Sequence, residues 1–225
     1  MGQKMEESSG LTPQQKQLLD LALRESYFLE TFYLSGGTAL SSWYLHHRES
    51  EDLDFFSLTP FDYDKITRWF RENQQDIGYT YSHFDEDYGF LTVNLHYPNN
   101  KFLKIDFNHY SRKKLSPGIR WKGLEIDSLR DIAVNKLYTV ATQPRTRDYI
   151  DLFAILKSVS WSLDNLISDT TKKFREKVDK LQLAKNFLKV SEYTDFPKML
   201  VPIDNNAMEK FYEDLAKQLK SKILK

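Results

Sequence analysis

The hydrophobic pattern of this 225-residue chain changes period at Asp127, and that change limits the fold more than any other feature. Before it, apolar residues alternate with polar ones in short runs, as in Leu53 and Phe55 or Leu103, Ile105 and Phe107. A period of two describes a strand with one buried face. Strands are expected over 32–35, 52–56, 79–84, 90–97 and 102–110, with another over 119–126. The runs Asp87-Tyr88-Gly89 and Pro98-Asn99-Asn100 read as hairpin turns. After Asp127 the spacing is helical to the end, with breaks near Pro144, Ser158–Ser160 and Pro197–Pro202. No internal repeat is present. The fold class predicted is α+β, built on a mixed α/β sheet, with a sheet domain over 1–127 and a helical region over 128–225.

Helix signals refine this plan. Thr12-Pro13 reads as an N-cap and first helical position, starting a helix that ends near Leu29. Thr38 is expected to cap a helix from Ala39 to about His46, with Leu40, Trp43 and Tyr44 on its inner side. Residues 62–76 read as an amphipathic helix. Ser128 and Asp131 resemble a capping box. Beyond Pro144, Tyr149, Leu152, Phe153 and Leu156 have the spacing of a buried stripe, with Arg145 and Asp148 together on another side. Arg147 and Asp151 read as an exposed i, i+4 ion pair.

Composition excludes several classes of function. There are no cysteines, which removes disulfides, thiol catalysis and cysteine-ligated zinc. No apolar stretch approaches the roughly 20 residues needed to span a bilayer. The first seven residues are polar and lack the apolar segment of a secretory signal, so a cytoplasmic protein without membrane partners is expected. Formal net charge is zero but unevenly spread: from residue 171 onward 13 Lys and Arg face 8 Asp and Glu, against 19 and 24 before it. Such an excess suits either a solvated helical surface or a face laid against phosphates.

The chemistry is concentrated in three aspartates. Asp52 and Asp54 stand two apart in an expected strand, so both leave the same face, about 7 Å apart. Carboxylates so placed repel one another unless a cation lies between them, and magnesium accepts one or two carboxylates beside water and phosphate. Lys104-Ile105-Asp106-Phe107-Asn108 alternates in the same way and puts Asp106 on the polar face. If the two strands are neighbours, the three aspartates share a patch suited to two divalent ions and in-line phosphoryl displacement. An isolated Asp-x-Asp is more often a solvent-facing edge, so the rest of the pattern must carry the argument. Gly36-Gly37-Thr38 lies between an expected strand and helix, where backbone amides favour a phosphate and glycine permits close approach. Downstream, Lys136, Arg145 and Asp148 add charge on expected helices.

These residues fit a known pattern. Leu34-Ser35-Gly36-Gly37-Thr38-Ala39-Leu40, followed by His47 to Asp52-Leu53-Asp54-Phe55-Phe56, resembles the first motif of the AbiEii/AbiGii toxin nucleotidyltransferases. Lys104-Ile105-Asp106-Phe107 resembles the strand giving the third carboxylate in polymerase-β-like nucleotidyltransferases. Lys136 with Arg145 to Leu152 resembles a later family motif, in which Arg147 stands where a lysine is usual. The resemblance runs over about 32–157. It implies a polymerase-β-like nucleotidyltransferase domain, with a helical region completing the active site. Gly36, Gly37, Thr38, Lys136, Arg145 and Asp148 would bind the nucleotide, while Asp52, Asp54 and Asp106 would be catalytic and bind Mg2+ or Mn2+. It further implies an NTP substrate, a tRNA or other RNA acceptor, and a cognate antitoxin. Two rival readings remain at this stage: a glycosyltransferase using Asp-x-Asp, and a non-catalytic nucleotide- or partner-binding relic of the fold.

Overall fold

The computed structural model describes residues 10–223, so the polar N-terminal heptad lies outside the described residues. By internal packing the chain forms two units. The first comprises 1–44, 50–113 and 117–128, and the second 45–49, 114–116 and 129–225. Two short segments, 45–49 and 114–116, therefore pack with the helices although they lie within the sheet half of the sequence.

The sheet unit begins with α1 (Pro13–Ala22), where Thr12 and Gln15 form a reciprocal capping box around Pro13. The chain then breaks, and α2 (Ser26–Thr31) is separate, so the single helix expected to Leu29 is two. Next come β1 (Tyr33–Ser35), α3 (Gly36–Leu40) continued by a π-helical turn over Ser41–Leu45, and β2 (Leu53–Ser57). Then follow α4 (Tyr63–Glu72), capped by Asp62, α5 (Gln74–Ile77), β3 (Tyr81–Asp87), β4 (Phe90–His96) and β5 (Phe102–His109). The strand expected over 119–126 is a tight hairpin, β6 (Ile119–Trp121) and β7 (Leu124–Ile126), turned through Lys122 and Gly123 at positive φ.

These strands form one mixed sheet in the order β3-β4-β5-β2-β1-β7-β6. β2 and β5 are parallel neighbours, and β5 pairs antiparallel with β4. The inward face is as the alternation predicts: Leu53, Phe55, Ile105 and Phe107 are wholly buried and Leu103 nearly so. Phe55 and Phe107 are register partners with rings stacked 5.1 Å apart, and Phe28, Phe32 and Phe70 pack edge-on or tilted around Phe107. Each such ring removes a large apolar area from water, which fixes the register because a one-residue slip would expose all of them.

The helical unit contains α6 (Leu129–Thr142), α7 (Thr146–Ser158), α8 (Leu163–Phe174), α9 (Lys180–Leu188) and α10 (Asn205–Ile223). Its interior holds polar ties as well as apolar packing. Asn186 on α9 donates to the carbonyls of Val140 and Ala141 at the end of α6, satisfying acceptors that the helix itself leaves open. Tyr149 donates its hydroxyl to the Asn186 carbonyl, and Tyr212 donates to the Tyr149 carbonyl. Asp131, the residue expected to form a capping box with Ser128, also serves the interior of the unit. Asp131 is fully buried, accepts from the amides of Leu115 and Ser116, and pairs with Lys173 at 2.7 Å. Among the described residues the lysines after residue 171 are otherwise at exposed positions, Lys173 being the buried exception. Among the described residues no helix is long and apolar enough to cross a membrane.

Candidate active site

One register row crosses the sheet through Ser35, Asp54, Asp106, Thr92 and Asp85. Paired residues of neighbouring strands present their side chains to the same face, so Asp54 and Asp106 stand side by side on the face opposite the phenylalanine core. The neighbours of the row hold its members. Thr92 donates its hydroxyl to Asp106 Oδ1 at 2.7 Å, and Lys104 Nζ pairs with Asp106 Oδ2. Ser35 donates to Asp127 Oδ2 at 2.8 Å.

Gly36 opens α3 directly above Asp54. Its φ is +75°, and a Cβ built there would fall 2.1 Å from Asp54 Oδ2, inside any allowed contact. Only glycine combines that conformation with that approach. The turn and the carboxylate are thus fitted to one another. Thr38, in contrast, is not a cap. Ser35 holds the N-cap position, and Thr38 is buried with its hydroxyl donating to the backbone carbonyl of Asp52. Gln15 also reaches that segment, donating to the Ser50 carbonyl at 2.9 Å and the Asp52 carbonyl at 3.4 Å. Asp52 itself precedes β2 rather than lying in it, because the strand starts at Leu53.

Among the described residues no three Asp, Glu or His side chains converge as a ready ligand group. What the structure offers a divalent ion is the Asp54–Asp106 pair in register, with Asp52 two residues along the chain. That donor set fits magnesium, which needs only one or two carboxylates before water and phosphate complete its octahedron.

The other sequence-predicted residues, Lys136, Arg145 and Asp148, meet in the helical unit. Lys136 Nζ bridges Asp148 Oδ1 at 2.8 Å and Asp151 Oδ2 at 2.7 Å, and Arg145 Nε binds Asp148 Oδ2 at 2.8 Å. Asp151 is not the exposed partner expected for Arg147. It is fully buried, gripped by Arg48 through Nε at 2.6 Å and a second guanidinium nitrogen at 2.8 Å, and by His47 Nε2 at 2.9 Å. The buried side of α7 accordingly runs through Asp148, Tyr149, Leu152 and Ile155, and Phe153 and Leu156 are only half-buried. Burial by itself would raise the carboxyls of Asp148 and Asp151. Lys136 with Arg145 outweighs it at Asp148, and Lys136 with Arg48 outweighs it at Asp151, holding both below the usual carboxylate range. Sequence reading gave no role to His47, Arg48, Thr92 or Lys104. The signal for Arg48 was an arginine beside a histidine near the Asp-x-Asp, but its partner lies 103 residues away.

Comparison with known proteins decides the family. Residues 17–223 match the family model described as nucleotidyl transferase AbiEii toxin, type IV TA system. The chain belongs to the AbiEii nucleotidyltransferase toxin family. The match extends through α10, well past the 32–157 over which the sequence resemblance was drawn, so the helical unit is part of the family's pattern. An uncharacterized Aquifex aeolicus (strain VF5) protein, aq_aa25, is 27% identical over 200 residues, covering 82% of this chain and 79% of its own. Two crystal structures share the fold. One, described as a nucleotidyltransferase from H. pylori, has a TM-score of 0.60 at 21% identity, covering 94% of this chain and 97% of its own. The other, JHP933 from Helicobacter pylori, has a TM-score of 0.55 at 20% identity, covering 94% of each chain. As an AbiEii nucleotidyltransferase the chain is an enzyme, and the glycosyltransferase and non-catalytic readings fall away.

Proposed function

We propose that this AbiEii enzyme transfers a nucleoside monophosphate from an NTP to a hydroxyl of an RNA acceptor, with Asp52, Asp54 and Asp106 as its catalytic carboxylates. The observation that carries the reading is the register pairing of Asp54 with Asp106 beneath Gly36. In the reaction the acceptor oxygen bonds to the α-phosphorus, the bond from that phosphorus to the β-bridging oxygen breaks, and pyrophosphate leaves. A divalent ion, magnesium or manganese, taken by these aspartates supplies neutralisation of phosphate charge. Asp106 accepts the hydroxyl proton, and Thr92 and Lys104 hold its carboxylate in place. Gly36, without a side chain, leaves the Asp54 carboxylate room beside the turn that the family resemblance assigns to the phosphates.

Lys136, implied by the family resemblance to contact the triphosphate, has both of its observed partners among buried aspartates of the helical unit. That arrangement supports a positioning role within its own unit. RNA is favoured over a small acceptor by the exposed lysines after residue 171. The family's toxin role supports a cognate antitoxin as partner.

The test is incubation with total RNA, each α-labelled NTP, and magnesium or manganese. Label should enter RNA, and Asp54→Asn or Asp52→Asn should abolish it while the thermal midpoint stays close to that of the parent. Labelling that survives either substitution, or that proceeds in excess chelator, would remove these aspartates from the centre.

A further inference from the structure

The sheet face bearing Asp54 and Asp106 continues into a row of rings. Phe102 on β5 pairs in register with His96 on β4, which pairs with Tyr81 on β3. The Phe102 and His96 centroids are 5.1 Å apart, and those of His96 and Tyr81 5.5 Å. Alternate positions of a strand share a face, so Phe102, Lys104 and Asp106 stand in line, with Phe102 about 13 Å from Asp106. Between the rings and the carboxylates lies a polar row of Lys104, Asn94 and His83, and exposed Lys101 precedes Phe102. Every one of these residues belongs to the sheet unit.

Cross-strand rings stabilise a sheet through mutual packing. That role does not require the outer rings to be open, yet Tyr81 is 59% exposed and Phe102 50%. Exposed aromatic faces beside lysines suit single-stranded nucleic acid, because every base has a π-face to stack and every linkage a phosphate to attract. A protein partner would favour a contiguous apolar patch, whereas this face alternates rings with Lys104, Asn94 and His83.

We propose that Tyr81, His96 and Phe102 form a stacking platform for the unpaired bases at the end of the RNA acceptor. Lys104, in line with the rings on the same face, meets its backbone, and the terminal hydroxyl is delivered toward Asp106. This assignment rests on the transfer reaction proposed above. It explains how an active-site face can hold an acceptor end without reading a particular sequence, since stacking tolerates any base.

The experiment is direct binding of a fluorescent single-stranded oligoribonucleotide to the full chain, followed by anisotropy. Tyr81→Ala with Phe102→Ala should weaken binding by at least about tenfold, and Tyr81→Phe with Phe102→Tyr should restore it, at thermal midpoints near that of the parent. Blunt duplex RNA should compete poorly. Equal affinity of the parent and the alanine variant, or no binding by the parent, would overturn the platform. So would loss of antitoxin capture in the alanine variant with RNA binding unchanged, which would make the face a protein surface. Asp54→Asn serves as the control that separates the two proposals. If the ladder binds RNA in this variant and in the parent but the parent never labels RNA, the platform stands and the transfer reading fails.

Discussion

Gly36 and Asp54 are built against each other: a methyl group on Gly36 would sit 2.1 Å from the Asp54 carboxylate. The glycine is therefore a steric condition on where that carboxylate points, as well as a turn residue. Gly36→Ala should displace Asp54 and lower transfer by about a hundredfold, the scale of a 1 Å misplacement at a reacting centre. The positive φ adds about 1–2 kcal/mol of lost stability. Rates at saturating NTP, set beside a urea titration, check both. A full-rate Gly36→Ala enzyme would mean that Asp54 is not constrained from above.

Thr92 orients Asp106 through one hydroxyl bond. Thr92→Val keeps the branched shape and removes the donor, so kcat should fall about 10–100-fold, the usual cost of losing a partner that orients a ligand. KM for the NTP should move little. A proportional rise in KM instead would assign Thr92 to nucleotide binding.

Asp151 neutralises two buried cations, Arg48 and Lys136. Asp151→Asn leaves both charges buried with less compensation and should cost about 3–5 kcal/mol, read from the denaturant midpoint. Because its contacts are internal to the helical unit, the loss should appear as stability first. A stable Asp151→Asn protein with normal unfolding would show that water reaches Arg48.

Acid should attack the same network. The Asp148 and Asp151 carboxyls titrate below their ordinary value, because Lys136, Arg145 and Arg48 outweigh burial. For depressed carboxyls the stabilisation is complete above the unfolded pKa of about 3.9, and is lost as pH falls through the lower folded values. The thermal midpoint should therefore hold near neutrality and drop below about pH 4, with a shallower acid limb in a protein carrying both Asp148→Asn and Asp151→Asn. Parallel limbs would assign acid unfolding to other carboxylates.

Much of the sheet unit follows from local pattern. The inward faces of β2 and β5 are written in Leu53, Phe55, Leu103, Ile105 and Phe107, because a period of two is a property of the strand itself. The Thr12-Pro13 start is legible for the same reason, since capping involves residues three apart. The break between α1 and α2 and the π-helical turn after Leu40 are less so, as no Gly or Pro marks either one.

The sequence by itself determined that Asp54 and Asp106 each lie on the polar face of a strand. Only the tertiary structure decided that they are register partners, because pairing between strands some fifty residues apart depends on the shared phenylalanine core. Charge networks show the same division more sharply. Arg147 and Asp151 have the spacing of a surface pair, and a helix alone would leave Asp151 in water. Burial of α7 removed that option: an unpaired carboxylate in the interior is costly, so Asp151 is stable there only because Arg48, His47 and Lys136 converge on it. Asp131 has cap spacing from Ser128, but that spacing gives no sign that Lys173 and the amides of Leu115 and Ser116 also meet it. Local spacing states which groups can meet along one element, and burial selects which distant partners a charge must have.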